Sequence, residues 1–175
     1  MLSPTALDLR SQLRFYKSYH RQKANVAIHA VFVPTILFAT MCMLHRVELY
    51  RGTTLTHVFT LGYSVYYLLL SLPVGLLATG ILVLANVALD RKWVHMSLAS
   101  ELALFVLGWV CQFTGHAFFE KKRPALVDNL LQSLVLAPYF ILFELLFKLG
   151  FMPQLHAQLE SDLSELTQDD RALLR

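Results

Sequence analysis

His29 lies four residues into an apolar run, 26–44, that is long enough to cross a bilayer. His116 lies near the end of a second run, 98–118, and Glu120 follows it one helical turn later. Ionisable side chains are expensive at membrane depth, so their presence there points to function. Neutral imidazole is also a common ligand for iron, copper and zinc. His116 and Glu120, at i and i+4, share one helix face, and Gln112 precedes them on it by one turn. Gly115 leaves room beside the histidine for a close helix or a ligand. His20 closes the apolar face of the helix before His29. On one continuous helix the nine residues from His20 to His29 amount to roughly 180° of rotation, so the two imidazoles converge only if the chain turns at 22–24. Asn25 would then cap the next helix, or alternatively orient a ligand by a hydrogen bond. Two histidines and a carboxylate are the ligand set of many non-haem Fe(II) oxygenases. Other readings stay open from spacing alone. The histidines could be polar glue in a scaffold or transporter, with Glu120 paired to Lys121 or Arg123, or His29 and His116 could be the axial pair of a b-type haem. Di-iron hydroxylases need about eight histidines in paired boxes, and the seven here are scattered.

The elements that must position these residues are helices in a membrane. The 175 residues are 56% hydrophobic and 15% charged, with mean hydropathy +0.52. A soluble domain carries roughly 25% charged residues. The expected fold is an all-α polytopic bundle with four to five membrane-embedded helices at about 26–44, 55–71, 74–90, 98–118 and 127–149. The uncharged stretch 58–89 is too long for one helix and should break at Ser71-Leu72-Pro73. Residues 3–20, opened by Ser3 and Pro4, read as an interfacial helix with Arg10, Arg14 and Lys17 toward lipid headgroups. Residues 151–175 form an amphipathic acidic tail, packing on the domain 1–150 or on a partner. No cleavable signal segment is visible, so the first span would serve as its own insertion signal. Counting five spans puts His20, His29, His116 and Glu120 at one face, with the basic residues of 10–23 and 121–123. Arg46, Arg51, Arg91, Lys92 and Lys148 fall at the other. The positive-inside rule makes the histidine face cytoplasmic. A net charge of +3 in short clusters excludes a nucleic-acid surface. Cys42 and Cys111 read as inert buried thiols.

Two motifs in order carry a resemblance. Tyr19-His20, Asn25, His29 and Pro34 are followed by Gln112-Phe113-Thr114-Gly115-His116, Glu120 and Pro124-Ala125-Leu126. This pattern, across roughly residues 10–150, resembles the small membrane family of 2-hydroxy fatty acid dioxygenases, whose fungal members act in phytosphingosine breakdown at the endoplasmic reticulum. Where many members carry glycine before the proline, this chain has Phe32 and Val33, and every candidate ligand is kept. The resemblance implies an Fe(2+)-dependent enzyme that uses O2 to remove C1 from a 2-hydroxy acyl chain. His20, His29, His116 and Glu120 are then the metal and catalytic candidates, with Tyr19, Asn25 and Gln112 orienting them. Arg21, Lys23, Lys121 and Lys122 lie where they could steer the substrate carboxylate. Phe113, Phe118, Tyr66 and Tyr67 are expected walls for the alkyl tail. Oligomeric state is left open.

Overall fold

The computed structural model describes residues 7–120 and 130–173. The expected start at Ser3 and Pro4, and Lys121 and Lys122, lie outside them. Helix α1 (Leu9–Tyr19) opens at Asp8, whose carboxylate accepts the Arg10 N–H at 3.2 Å. The chain turns at His20 and continues as α2 (Lys23–His45). A two-stranded hairpin follows, β1 (Glu48–Tyr50) and β2 (Thr53–Thr54), which the sequence reading did not contain. Its turn residues Arg51 and Gly52 both have positive φ, 43° and 82°, the backbone that tight hairpins require. Then come α3 (Leu55–Leu70), α4 (Leu72–Asp90), α5 (Leu98–Gly115), a π-helical turn (His116–Glu120), α6 (Leu130–Lys148) and α7 (Pro153–Leu173).

The break between α3 and α4 falls at Ser71, and Pro73 occupies the first turn of α4. Gly75 lets the two helices close, because a Cβ there would lie 2.6 Å from the Tyr67 carbonyl oxygen. The chain therefore leaves the histidine face in α2, returns in α3, leaves in α4 and returns in α5. Lys23–His45, Leu72–Asp90 and Leu98–Glu120 are long and apolar enough to cross a membrane. Leu61, Val65, Ile81, Leu84, Val106 and Val110 stand exposed on the outer faces. An apolar surface this extensive marks an interaction face, and on helices of this length it is compatible with a membrane protein.

The interior seam is built by α6. Leu136, Tyr139, Phe140 and Phe143 are all buried, and Tyr139 stacks on Tyr67 of α3 at 4.3 Å between ring centroids. At the end remote from the histidines, Arg46 clamps the buried Glu101 through two contacts of 2.8 Å, tying α2 to α5.

Two expectations change here. Segment 127–149 was expected to carry Lys148 to the opposite side, yet Phe147 and Lys148 end α6 in the same cleft as His20 and Lys17. Apolar length alone does not distinguish a crossing helix from one that packs obliquely inside the bundle. The basic side of α1 was expected to face headgroups, yet the acidic C-terminal helix takes it. Arg10 binds Asp162 through two contacts of 2.9 and 2.7 Å, and Lys17 Nζ reaches Glu160 at 2.8 Å and Glu144 at 3.4 Å. Leu159 of α7 is fully buried against the domain.

Candidate metal centre and its cavity

Three imidazoles meet where α1 ends, α2 begins and α5 gives way to the π turn. The ring centroids of His20, His29 and His116 lie 4.5–4.8 Å apart, and one nitrogen from each falls within 4.8 Å of the others. All three residues are buried. Local backbone orients two of them. His20 Nδ1 pairs with the Tyr16 carbonyl and His29 Nδ1 with the Asn25 carbonyl, each at 2.9 Å and one turn back on its own helix. A carbonyl accepts only an N–H, so both rings carry the proton on Nδ1 and present the Nε2 lone pair. Metal-bound histidines are commonly fixed in this way.

Two of the inward nitrogens are orphans: His20 Nε2 and His116 Nδ1 are buried without a hydrogen-bond partner. Leaving a buried acceptor unsatisfied costs about 1–3 kcal/mol, so a cluster of such atoms calls for a bound group. Burial, and next the neighbouring His29, push the His20 imidazole well below its ordinary pKa. The ring is neutral and able to ligate at physiological pH. This donor set fits a divalent transition metal. A haem does not fit, because rings 4.5–4.8 Å apart leave no slot for a macrocycle.

Glu120 has a different place. Its Oε1 accepts the Gln22 N–H at 2.9 Å and the Asn25 Nδ2–H at 3.2 Å, so the carboxylate sits on the N-terminus of α2, where orphan donors and the helix dipole favour an anion. This corrects the expectation that Asn25 caps α2. The helix starts three residues earlier, after Gln22, and its cap comes from the π turn that follows α5. The π turn accounts for the split. An extra residue per turn is a frequent feature of functional sites, and here His116 points to the other histidines while Glu120 reaches α2. Gly115 makes the crossing possible, since a Cβ at that position would collide with Asn25 Oδ1. Glu120→Gln keeps one acceptor oxygen for these donors and loses the charge. It is expected to retain the full metal content and lose activity about three- to tenfold; metal analysis beside a rate assay checks this, and loss of the metal would make Glu120 a ligand.

Beneath the histidines lies a cavity of about 370 Å³ with mostly apolar walls. Gln112 lines it beside His116, and Phe113 is part of its wall. Tyr66, Tyr67 and Phe118 are not. Tyr67 is buried against α6, and Phe118 is exposed on the outside. Tyr16 is the residue that the sequence reading missed. Its ring stacks on His20 at 3.9 Å and lines the cavity, and its hydroxyl is buried without a partner. The available signal was its spacing of four from His20. Tyr19, the tyrosine that the family resemblance points to, packs on Phe15. Arg21 and Lys23 are exposed and, with Glu144, His156 and Glu160, line a second cleft that also touches His20.

Comparison with known proteins fits this geometry. Residues 6–149 match the family described as "Mpo1-like: 2-hydroxy-palmitic acid dioxygenase Mpo1-like". The chain is 60% identical over 157 residues to the 2-hydroxy-palmitic acid dioxygenase MPO1 of Saccharomyces cerevisiae, covering 90% of each chain. No solved structure matches it.

Proposed function

The chain belongs to the Mpo1-like family, and from that membership we propose that it is a membrane-embedded Fe(2+)-dependent dioxygenase that shortens 2-hydroxy fatty acids by their first carbon. The observation that carries this reading is the set of three buried imidazoles at the head of an apolar cavity. His20, His29 and His116 would hold the iron, which when bound activates O2 next to a 2-hydroxy carboxylate. With one O2, a 2-hydroxy acid yields the acid one carbon shorter, carbon dioxide and water, a balance that needs no external reductant.

The chain's own residues bind, orient and keep water out. The alkyl tail lies in the apolar cavity, which places the hydroxyl and carboxylate under the histidines. Tyr16 supplies a hydrogen-bond donor there. Burial, with Glu144 and Glu120 adding to it, pushes its phenol well above the ordinary value, so it stays protonated. Tyr16→Phe is expected to lower kcat/KM for 2-hydroxypalmitate about tenfold with the metal content intact; an unchanged kcat/KM would remove this role. Arg14, Arg21 and Lys23, exposed on the histidine face, support a cytoplasmic orientation, and the family resemblance supports residence in the endoplasmic reticulum.

The reading is tested by incubating detergent-purified protein with 2-hydroxypalmitate and O2, with and without a chelator. Chelator-sensitive formation of the fifteen-carbon acid supports it. Chelator-resistant turnover would sink the iron assignment.

A further inference from the structure

The cavity has a polar head, and its far end lies at a defined depth. On α2 it is lined from His29 to Thr40 and on α5 from His116 back to Phe105. Each stretch is eleven positions, or about 16 Å of helix. An extended hydrocarbon advances about 1.2 Å per bond, as an extended polypeptide does over its three backbone bonds per residue. The cavity thus accommodates about 13 carbon–carbon bonds beyond the histidines, close to the tail of a sixteen-carbon acid.

Thr40, Phe59 and Phe105 are the lining residues farthest from the histidines on α2, α3 and α5. The level of α3 is fixed by Thr56, whose hydroxyl donates to the Met41 carbonyl at 2.7 Å. That bond places the start of α3 beside the deep end of α2. Phe59 is braced by Tyr63, with ring centroids 4.2 Å apart. The Thr40 hydroxyl is satisfied by the Ile36 carbonyl at 2.8 Å, so it presents no unmet polar demand to a hydrocarbon end. The geometry points to Thr40, Phe59 and Phe105 as an end wall that measures the acyl chain and sets which 2-hydroxy fatty acid is accepted. This rests on the dioxygenase reading for the identity of the substrate, but not for the location of the tail.

Palmitic acid lacking the 2-hydroxyl and carrying a photoreactive diazirine at its last carbon separates the two claims, because it reports binding without turnover. The purified protein is irradiated with this probe and the labelled peptides are mapped. Label is expected around Thr40, Phe59 or Phe105. Label confined to the histidine end or to the outer faces, such as Leu107, would overturn the proposal. The second arm measures kcat/KM for 2-hydroxy acids of graded length. Phe105→Ala and Phe59→Ala are expected to shift the preference by two or more carbons toward longer chains, and Thr40→Phe toward shorter ones, by about tenfold in the ratio of kcat/KM. Deep labelling with an unmoved length preference would also overturn it. If no 2-hydroxy acid is turned over at all, the dioxygenase reading fails while the labelling still decides where the tail lies.

Discussion

Alanine at His20, His29 or His116 is expected to strip the protein of iron and to cut turnover of 2-hydroxypalmitate by at least about 100-fold. Loss of a residue that only supports a metal ligand costs about 10- to 100-fold, and loss of a ligand itself should cost no less. The three positions differ in how they are held. His20 and His29 are tied to carbonyls of their own helices, whereas His116 is aimed by the π turn. The losses should nonetheless be alike, because each ring supplies one of three converging nitrogens. Helical content and thermal stability of the metal-free protein should change little. Removing a buried imidazole opens a void, but at His20 and His116 it also removes a buried orphan nitrogen that costs about 1–3 kcal/mol. Metal analysis, circular dichroism and a rate assay on the same preparations check all three statements. Normal iron and turnover in any one variant would exclude that residue as a ligand.

Gly115→Ala is expected to have an effect of the same order without touching a ligand. The new Cβ would meet Asn25 Oδ1 and, at 3.4 Å, Ile28 Cδ1. The Asn25 side chain is fully buried and held by its bond to Glu120, so it has little room to rotate away, and the end of α5 is expected to move off the start of α2. His116 is the next residue after the glycine, and His29 lies one turn beyond Asn25, so the separation pulls two of the three imidazoles apart. A misplacement of about 1 Å in a reacting constellation costs about 100-fold. The expected result is a loss of turnover of that size with weakened iron retention. Gly80→Ala is the control, since nothing lies within 4 Å of a Cβ at that position, and its activity should equal that of the unaltered protein. Equal activity in Gly115→Ala would show that the close approach of α2 to α5 does not govern the site.

Much of this site could be read from the sequence because its logic is local or topological. The histidines announced themselves by sitting in or beside apolar runs, and the turn between His20 and His29 followed from helix geometry. The break at Ser71 followed from proline placement, and it fixed the number of traversals that bring His116 back to His29. What escaped was mostly long-range. Glu120 caps α2 across 98 positions of sequence, and no spacing rule reports such a partner; spacing alone points to Asn25. The acidic faces of α6 and α7 that receive Lys17 were likewise invisible from α1 alone. The hairpin at 48–54 is too short to show an alternating pattern, and only Gly52 hinted at a turn. Tyr16 is a different kind of omission, since the spacing of four from His20 was there to be used.

The central claim is that three imidazoles hold a redox-active iron at the head of a fatty-acyl cavity. Iron content and visible spectrum of the purified protein, measured together with product formation from 2-hydroxypalmitate, test it most directly. The account predicts about one iron per chain with the three-histidine donor set, no haem Soret band, and a fifteen-carbon acid formed in proportion to the iron present. A Soret band, or full conversion by protein that contains no iron, would contradict it.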